Sequence, residues 1–336
     1  ALLKEQGYHV IGATMRLWTY SDSCNMKHEG CCAESAVEDA RRVCDKLGID
    51  FYVMNFKDMF KDKVVDYFVD EYIHGRTPNP CIACNKYLKF DALLKKALAM
   101  GIDYVATGHY AKIEKGEDGK YILRASEAVK KDQSYVLYNF TQEQLAHTLM
   151  PLGGYNKDWV RQKAEELGLG VAHKPDSQEI CFVEDDDYAK FITDYSGYKP
   201  KEGDILDVNG NVIGKHRGLI YYTIGQRKGI GAYGRPMFVM KIDAENNTIT
   251  LGEKGMEFSN ELTAYDVNFV SGEFPKENML ITAKVRYQAP PAAAMLCPQK
   301  DGTVKLMFPE PQRAVTPGQA VVFYDGDIVL GGGTVL

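Results

Sequence analysis

Three cysteines carry the sharpest chemical signal in this chain of 336 residues. Cys81 and Cys84 form a C-x-x-C pair inside Gly75-Arg76-Thr77-Pro78-Asn79-Pro80-Cys81-Ile82-Ala83-Cys84-Asn85, and Cys181 follows the polar run Asp176-Ser177-Gln178-Glu179-Ile180. Two prolines impose an extended approach to a helix, because each disfavours helical geometry in the residue before it. Cys84 is then expected at the helix start, where backbone amides and the helix dipole favour a thiolate. The bland alternative is a small hydrophobe buried at a helix start. Paired with Cys181, the same residue fits sulfur transfer, one thiol carrying a sulfur and the other resolving it by exchange. A different use of the same residues is an iron–sulfur cluster on Cys81, Cys84 and Cys181, with one iron open to sulfide. A four-cysteine zinc site is disfavoured, since no second C-x-x-C exists.

The remaining cysteines read as bystanders. Cys24, Cys31 and Cys32 fall in a loop, Cys44 on the inner face of a helix and Cys297 in a strand region. Eight cysteines without a secretory leader point to a reducing, cytoplasmic setting. No apolar run reaches the roughly 18 residues of a membrane span, so no membrane association is expected. The first residue is Ala1 rather than Met, and 1–7 reads as the tail of a helix, so a segment upstream is expected.

The elements that must position these thiols alternate over the first 110 residues. Strand-like runs at 8–18, 51–56 and 104–107 are separated by helical periodicity at 33–47, 59–73 and 85–100, with Gly48, Gly75 and Gly101 as stops. This rhythm predicts an open α/β fold around a doubly wound parallel sheet. Ligands of such sheets lie beyond the carboxyl ends of the strands, which puts Met15, Thr107, Gly108 and His109 at the rim. Two helices, 157–167 and 188–195, suggest a small helical central domain. From about Arg227 short strands recur every 8–12 residues or so, as in a β-barrel or sandwich. The expected domains are 1–149, 150–225 and 226–336.

Apolar residues make up 45% and charged residues 26%, the profile of a folded globular chain and not of a disordered one. Net charge is −6, which argues against indiscriminate nucleic-acid coating. One stretch departs from it: 208–242 holds no acid, while Lys215, Arg217, Arg227, Lys228, Arg235 and Lys241 all fall within it. Such a cluster is either a solvated face or a phosphate-contacting surface. Gly225-Gln226-Arg227-Lys228-Gly229-Ile230-Gly231 follows no strand-to-helix unit, so a dinucleotide loop is rejected in favour of a phosphate-hugging linker. Lys131-Asp132-Gln133-Ser134-Tyr135 is either a polar turn or a nucleic-acid contact.

Seven ordered segments, NPCIACNKYLKFDALL, ATGHY, KDQSYVLY, DSQEICF, GLIYYTIGQRKGIG, VRYQ and TPGQAVVFYDGDIVLGGG, resemble the tRNA-specific 2-thiouridylase (MnmA/TrmU) family over the whole chain. The resemblance implies an adenine-nucleotide α-hydrolase (PP-loop ATPase) domain, a central tRNA-binding domain and a C-terminal β-barrel. It implies ATP-dependent thiolation, with Mg2+, of the wobble uridine of Lys, Glu and Gln tRNAs, using a persulfide donor or sulfur-relay protein. Cys181 would carry the persulfide and Cys84 would release sulfide through a Cys84–Cys181 disulfide. Met15 and Gly108 would meet the nucleotide, and Asn79, Pro80 and Cys81 the target base. His109, Lys131, Asp132, Gln133, Arg286, Tyr287 and Gln319 would contact tRNA. The family's SGGVDSS phosphate loop would stand just before Ala1, so the sequence as written is expected to bind ATP poorly. Many members carry Asp where Cys81 stands, which leaves a [4Fe–4S] cluster on the three cysteines open beside the disulfide relay. The rival functions are an RNA-binding module without catalysis and another PP-loop synthetase that adenylates a small carboxylate.

Overall fold

The computed structural model describes residues 1–18, 34–128, 131–174, 180–183 and 186–336. Cys24, Cys31 and Cys32, and the polar run 175–179 ahead of Cys181, lie outside the described residues. Two compact units emerge. The first comprises Ala1–Val65, Ala83–Ser134 and Glu143–Asp187, the second Asp66–Ile82, Tyr135–Gln142 and Tyr188–Leu336.

The first unit begins with α1 (Leu2–Glu5), β1 (Gly12–Arg16), α2 (Glu34–Leu47) and β2 (Phe51–Asn55). Strands β1 and β2 pair in parallel with Met15 opposite Met54, as a helical crossover requires. Cys44 packs α2 directly onto β1: a Cβ at Gly12 would stand 2.3 Å from its sulfur. That closeness explains both residues.

Helix α3 spans 57–73 with a π-type stretch at Lys61–Asp66. Helix α4 spans 80–99, built from Pro80–Ala83, a π-type stretch at Cys84–Ala92, and Leu93–Ala99. Strand β3 (Val105–Ala106) leads to the antiparallel hairpin β4 (Ala111–Lys115) and β5 (Tyr121–Ala125). After α5 (Gln142–Ala146), β6 (Thr148–Leu149) pairs in parallel with β3, and α6 (Lys157–Glu166) follows. Tyr8 and Tyr104, each just ahead of its strand, meet edge to edge at 6.2 Å. This is the Rossmann-like parallel arrangement that the alternation predicts. The β4–β5 hairpin went unread because AKIEK and YILRA each carry charged residues on a short strand.

In the second unit α7 (Tyr188–Ser196) precedes a four-stranded sheet in the order β8-β7-β10-β9, from β7 (Gly203–Leu206), β8 (Val212–His216), β9 (Met237–Asp243) and β10 (Thr248–Glu253). Ile205, Leu219, Val239, Ile249 and Leu251 form its core. Strands therefore start at Gly203, earlier than the turn spacing suggested. The glycines and the Asp207 turn, whose carboxylate accepts the Asn209 and Asn211 amides at 2.8 Å, mask β7 and β8 in the sequence.

The barrel comprises β11 (Phe258–Phe269), β12 (Met279–Lys284), β13 (Ala292–Pro298), β14 (Val304–Arg313), β15 (Ala320–Asp325) and β16 (Ile328–Val335). Their order is β11-β14-β13-β12-β15-β16, and β16 pairs back onto β11 to close the ring. Alternate residues such as Leu296, Val304, Leu306, Val321 and Phe323 fill the interior. Residues 135–142 are stitched to this barrel. Asn268 donates to the Tyr138 and Phe140 carbonyls at 2.8 and 3.1 Å, and the Tyr135 hydroxyl donates to the Ala320 carbonyl at 2.7 Å. Among the described residues no helix is long and apolar enough to cross a membrane.

Phe323 is fully buried, whereas Leu280 on neighbouring β12 is 81% exposed. Phe323→Ala is expected to lower stability by about 3–5 kcal/mol, while Leu280→Ala stays within about 0.5 kcal/mol. Urea denaturation midpoints for the two variants check this.

Candidate active site

Helix α4 starts earlier than its apolar pattern implied. The Asn79 side-chain oxygen accepts the amides of Cys81 at 3.1 Å and Ile82 at 3.3 Å, an N-cap, with Pro80 in the first helical position. Cys81 therefore occupies the first turn, exposed, and Cys84 stands one turn further on, buried at 8% exposure. The expectation that Cys84 opens the helix is corrected. The two prolines do extend the approach, but the helix they introduce starts at Pro80.

In the second unit the loop before this helix is clamped to the barrel. The Thr77 amide donates to the Pro317 carbonyl at 2.9 Å, and the Gln319 side-chain amide donates to the Thr77 carbonyl at 2.8 Å. Gly318 makes the approach possible, for a Cβ there would lie 2.9 Å from the Thr77 nitrogen. One residue earlier Arg76 forms a two-pronged ion pair with buried Glu71, its Nε donating to Oε2 at 2.8 Å. Sequence reasoning missed Glu71, Thr77 and Pro317. Thr77 and Pro317 lay inside segments already singled out, but neither was given a role.

Also in this unit, Tyr287 is exposed and its ring meets Tyr135 edge-on at 5.7 Å. The Lys284 ammonium lies 5.8 Å from the Tyr287 ring and 5.9 Å from that of Tyr135. Arg286, just before Tyr287, is half-buried. These residues make a cationic, aromatic patch of the kind that accepts nucleic acid.

In the first unit Phe60 lies in an aromatic cluster with Trp18 and Phe182. Phe182, next to half-buried Cys181, meets Phe60 edge-on at 5.6 Å and Trp18 at 6.4 Å. Trp18 follows the carboxyl end of β1, three residues beyond half-buried Met15. The turn carrying Phe60 packs in turn against the stretch of α4 that begins at Cys84. Trp18, Phe60 and Phe182 thus form one aromatic cluster, with Cys181 next in sequence to one of its members. Gly108, just past β3, is exposed with no side chain closer than 3.5 Å to where its Cβ would be, so its backbone stays open to a ligand.

Two separate sequence segments meet at Tyr110. The Tyr110 amide donates to the Gln133 side chain at 2.9 Å, and the Gln133 amide donates back to the Tyr110 carbonyl at 2.9 Å. Asp132 organises the turn, accepting the amides of Ser126 and Ser134 and the Ser134 hydroxyl. Half-buried Lys131 opens this turn, its amide donating to the Ala128 carbonyl at 2.7 Å. His109 shares a 2.8 Å hydrogen bond with Thr107 and lies 5.8 Å from the Phe90 ring. Burial, with a smaller push from the Lys89 charge, lowers its pKa from 6.5 to about 3. It is neutral at physiological pH.

The iron–sulfur reading is corrected. Among the described residues no group of three His, Cys, Asp or Glu side chains is placed to hold a metal ion. Cys81 faces solvent while Cys84 is buried and Cys181 half-buried. All three are present as thiols.

A parallel sheet with helical crossovers, followed by a small sheet and a closed barrel, defines a nucleotide-binding α/β domain joined to two β modules. Residues 1–185 match the family described as tRNA methyl transferase HUP domain, 189–253 its PRC-barrel domain, and 259–335 the aminomethyltransferase beta-barrel domain. The chain is 58% identical to tRNA-specific 2-thiouridylase MnmA of Acetivibrio thermocellus, covering 100% of this chain and 94% of that protein. Identity to the enzyme of the same name in Clostridioides difficile is 57%, covering 99% and 93%. For that of Clostridium botulinum strain Alaska E43 it is 56%, covering 99% and 92%. The chain belongs to the tRNA-specific 2-thiouridylase family.

His109 yields a pH prediction with a definite sign. The unfolded imidazole takes up its proton near 6.5 and the folded one near 3, so the stability contributed by the neutral ring is present above 6.5. It is lost progressively as pH falls from about 6.5 towards 3. Urea midpoints measured from pH 4 to 8 are expected to fall less steeply on the acid side in His109→Gln than in the parent.

Proposed function

We infer that this chain catalyses ATP-dependent 2-thiolation of the wobble uridine of tRNA, as a sulfurtransferase that takes its sulfur from a persulfide donor. The observation that carries this reading is the match along the whole chain, at 55–58% identity, to proteins of that name. The C2 oxygen of the uridine attacks the α-phosphorus of ATP and pyrophosphate leaves, so that a poor leaving group is converted into AMP. Met15 and Gly108 are assigned to the nucleotide, at the carboxyl ends of β1 and β3 where such sheets bind ligands.

Sulfur passes through two thiols. Cys181 carries the persulfide. The Cys84 thiolate attacks the Cys181 sulfur, the bond to the outer sulfur breaks, and hydrosulfide leaves as a Cys84–Cys181 disulfide forms. Hydrosulfide adds to C2 and AMP departs. An external thiol then reduces the disulfide in two exchanges. Burial of Cys84 keeps the transferred sulfur out of bulk water, where it would be lost.

The base must leave its stack before C2 can be reached. The capped, clamped turn at 79–81 is assigned to receive it, with Asn79, Pro80 and Cys81 at the base. His109, Lys131, Asp132, Gln133, Arg286, Tyr287 and Gln319 are assigned to the tRNA side of the site. Neutral His109 offers a hydrogen bond and no charge. Gln319 acts on the base-receiving loop through the Thr77 carbonyl.

Cys84→Ser and Cys181→Ser are each expected to lose thiolation by at least about 10³-fold, as for removal of a covalent nucleophile. Retardation of product tRNA in a mercury-containing gel measures it. Parental rates in either variant would remove the two-thiol relay.

A further inference from the structure

The six cations of the acid-free stretch 208–242 do not act alike. Lys215 is paired with Asp204 at 2.6 Å, Arg235 with Glu253 at 2.6 Å and Lys241 with Asp243 at 3.2 Å. The Arg217 guanidinium stacks over the Tyr221 ring at 4.0 Å. Arg227 and Lys228 are exposed, and among the described residues neither has a carboxylate partner. With Gln226 they line a recess of about 540 Å³.

The backbone carrying these two cations is held in place by Gln226. Its side-chain oxygen accepts the Thr223 amide at 2.9 Å, and its side-chain nitrogen donates to the carbonyls of Tyr221 at 3.2 Å and Lys228 at 2.9 Å. The Gly225 amide donates to the Val239 carbonyl at 2.8 Å, and the Val239 amide donates to the Gln226 carbonyl at 3.0 Å, tying the loop to β9. Gly225 at φ +81° and Gly229 at φ +76° supply turns that L side chains rarely adopt. The charges are therefore presented from an ordered loop, so little ordering entropy is left for a ligand to offset. A guanidinium beside an ammonium, with no competing acid, suits a phosphodiester oxygen pair.

The same unit holds the base-receiving turn. The Thr223 hydroxyl lies 3.5 Å from that of Thr77, two residues ahead of Asn79. Gly75 abuts β9, for a Cβ there would stand 2.5 Å from Ile242. We propose that Arg227 and Lys228 bind a backbone phosphate next to the target nucleotide, and that Gln226 and Thr223 hold this phosphate site in register with the loop at 79–81. The proposal rests on the RNA-thiolation reading and adds to it a specific phosphate site.

The test uses the full chain and a labelled anticodon stem-loop RNA carrying the target uridine, with a single neutral methylphosphonate placed at either flanking linkage. One of these RNAs is expected to bind the parent about tenfold more weakly, and to bind Arg227→Ala/Lys228→Ala no more weakly than unmodified RNA does. The slope of log Kd against log[KCl] is expected to fall by about one to two units in the double variant and to stay put in Lys305→Ala. Gln226→Met, which keeps both charges, is expected to lose the methylphosphonate penalty too. Independent, multiplying penalties or an unchanged salt slope would overturn the phosphate site. A full penalty in Gln226→Met would overturn the positioning role. Displacement of unmodified RNA by inorganic pyrophosphate from the parent only, without methylphosphonate coupling, would reassign the recess to a free anion. A parent that does not bind the stem-loop at all would instead bring down the RNA reading itself.

Discussion

The site depends on one short backbone contact. Thr77 is held on both sides of its peptide, its amide by the Pro317 carbonyl and its carbonyl by the Gln319 side chain. A loop ending in Pro-Asn-Pro has few amides of its own with which to pair, so its position must come from outside. The barrel supplies it through a turn in which Gly318, at φ +87°, leaves room for the Thr77 backbone. Arg76 and Glu71 add a partly buried ion pair on the preceding residue, of the type that is strongly destabilising when only one partner is lost. From this anchored start Asn79 caps α4, and the helix sets Cys81 at the surface and Cys84 inside. Within the second unit, the loop ahead of Asn79 thus owes its place to a turn 242 residues further along the chain.

Charge is distributed on the same principle. Several cations are locally neutralised by acids, as Lys215, Arg235 and Lys241 are. Surface pairs of this sort contribute little to stability, so their chief effect is to cancel potential. Cations without an acid then stand out against a quiet background, and an acidic protein can still receive a polyanion at a defined place. His109 shows the complementary device. Beside Lys89 and Phe90 its imidazole is kept neutral, so it offers hydrogen bonding without adding charge.

Much of the architecture was readable in the residues, for identifiable reasons. Strands β1 and β2 and helix α2 obey their periods because each buries one face, and the barrel strands alternate because the ring has an inside. Strand β13 carries a weaker signal of its own, because AAAMLCP is rich in alanine and lacks β-branched residues. The start of α4 was readable in principle, since Asn79-Pro80 is an N-cap followed by proline at the first helical position. Its apolar pattern starts later, and that pattern was given more weight. The Thr77 clamp and the Glu71–Arg76 pair had no such signal: one is a tertiary contact through backbone groups that every residue possesses, and the other crosses a helix end, where periodicity is silent.

The misreading of C-x-x-C as a metal motif has a structural cause. Helix capping at this turn is done by the Asn79 side chain, which accepts the amide of residue 81. Residue 81 is exposed, so core packing does not dictate its type. A cysteine there costs the helix little relative to an aspartate, and the spacing to Cys84 follows from one helical turn, with no need for a shared ligand. Cys84 is under the opposite regime: buried at 8% exposure, it must be small and apolar enough to pack. Spacing made the two residues look alike, and burial separates them.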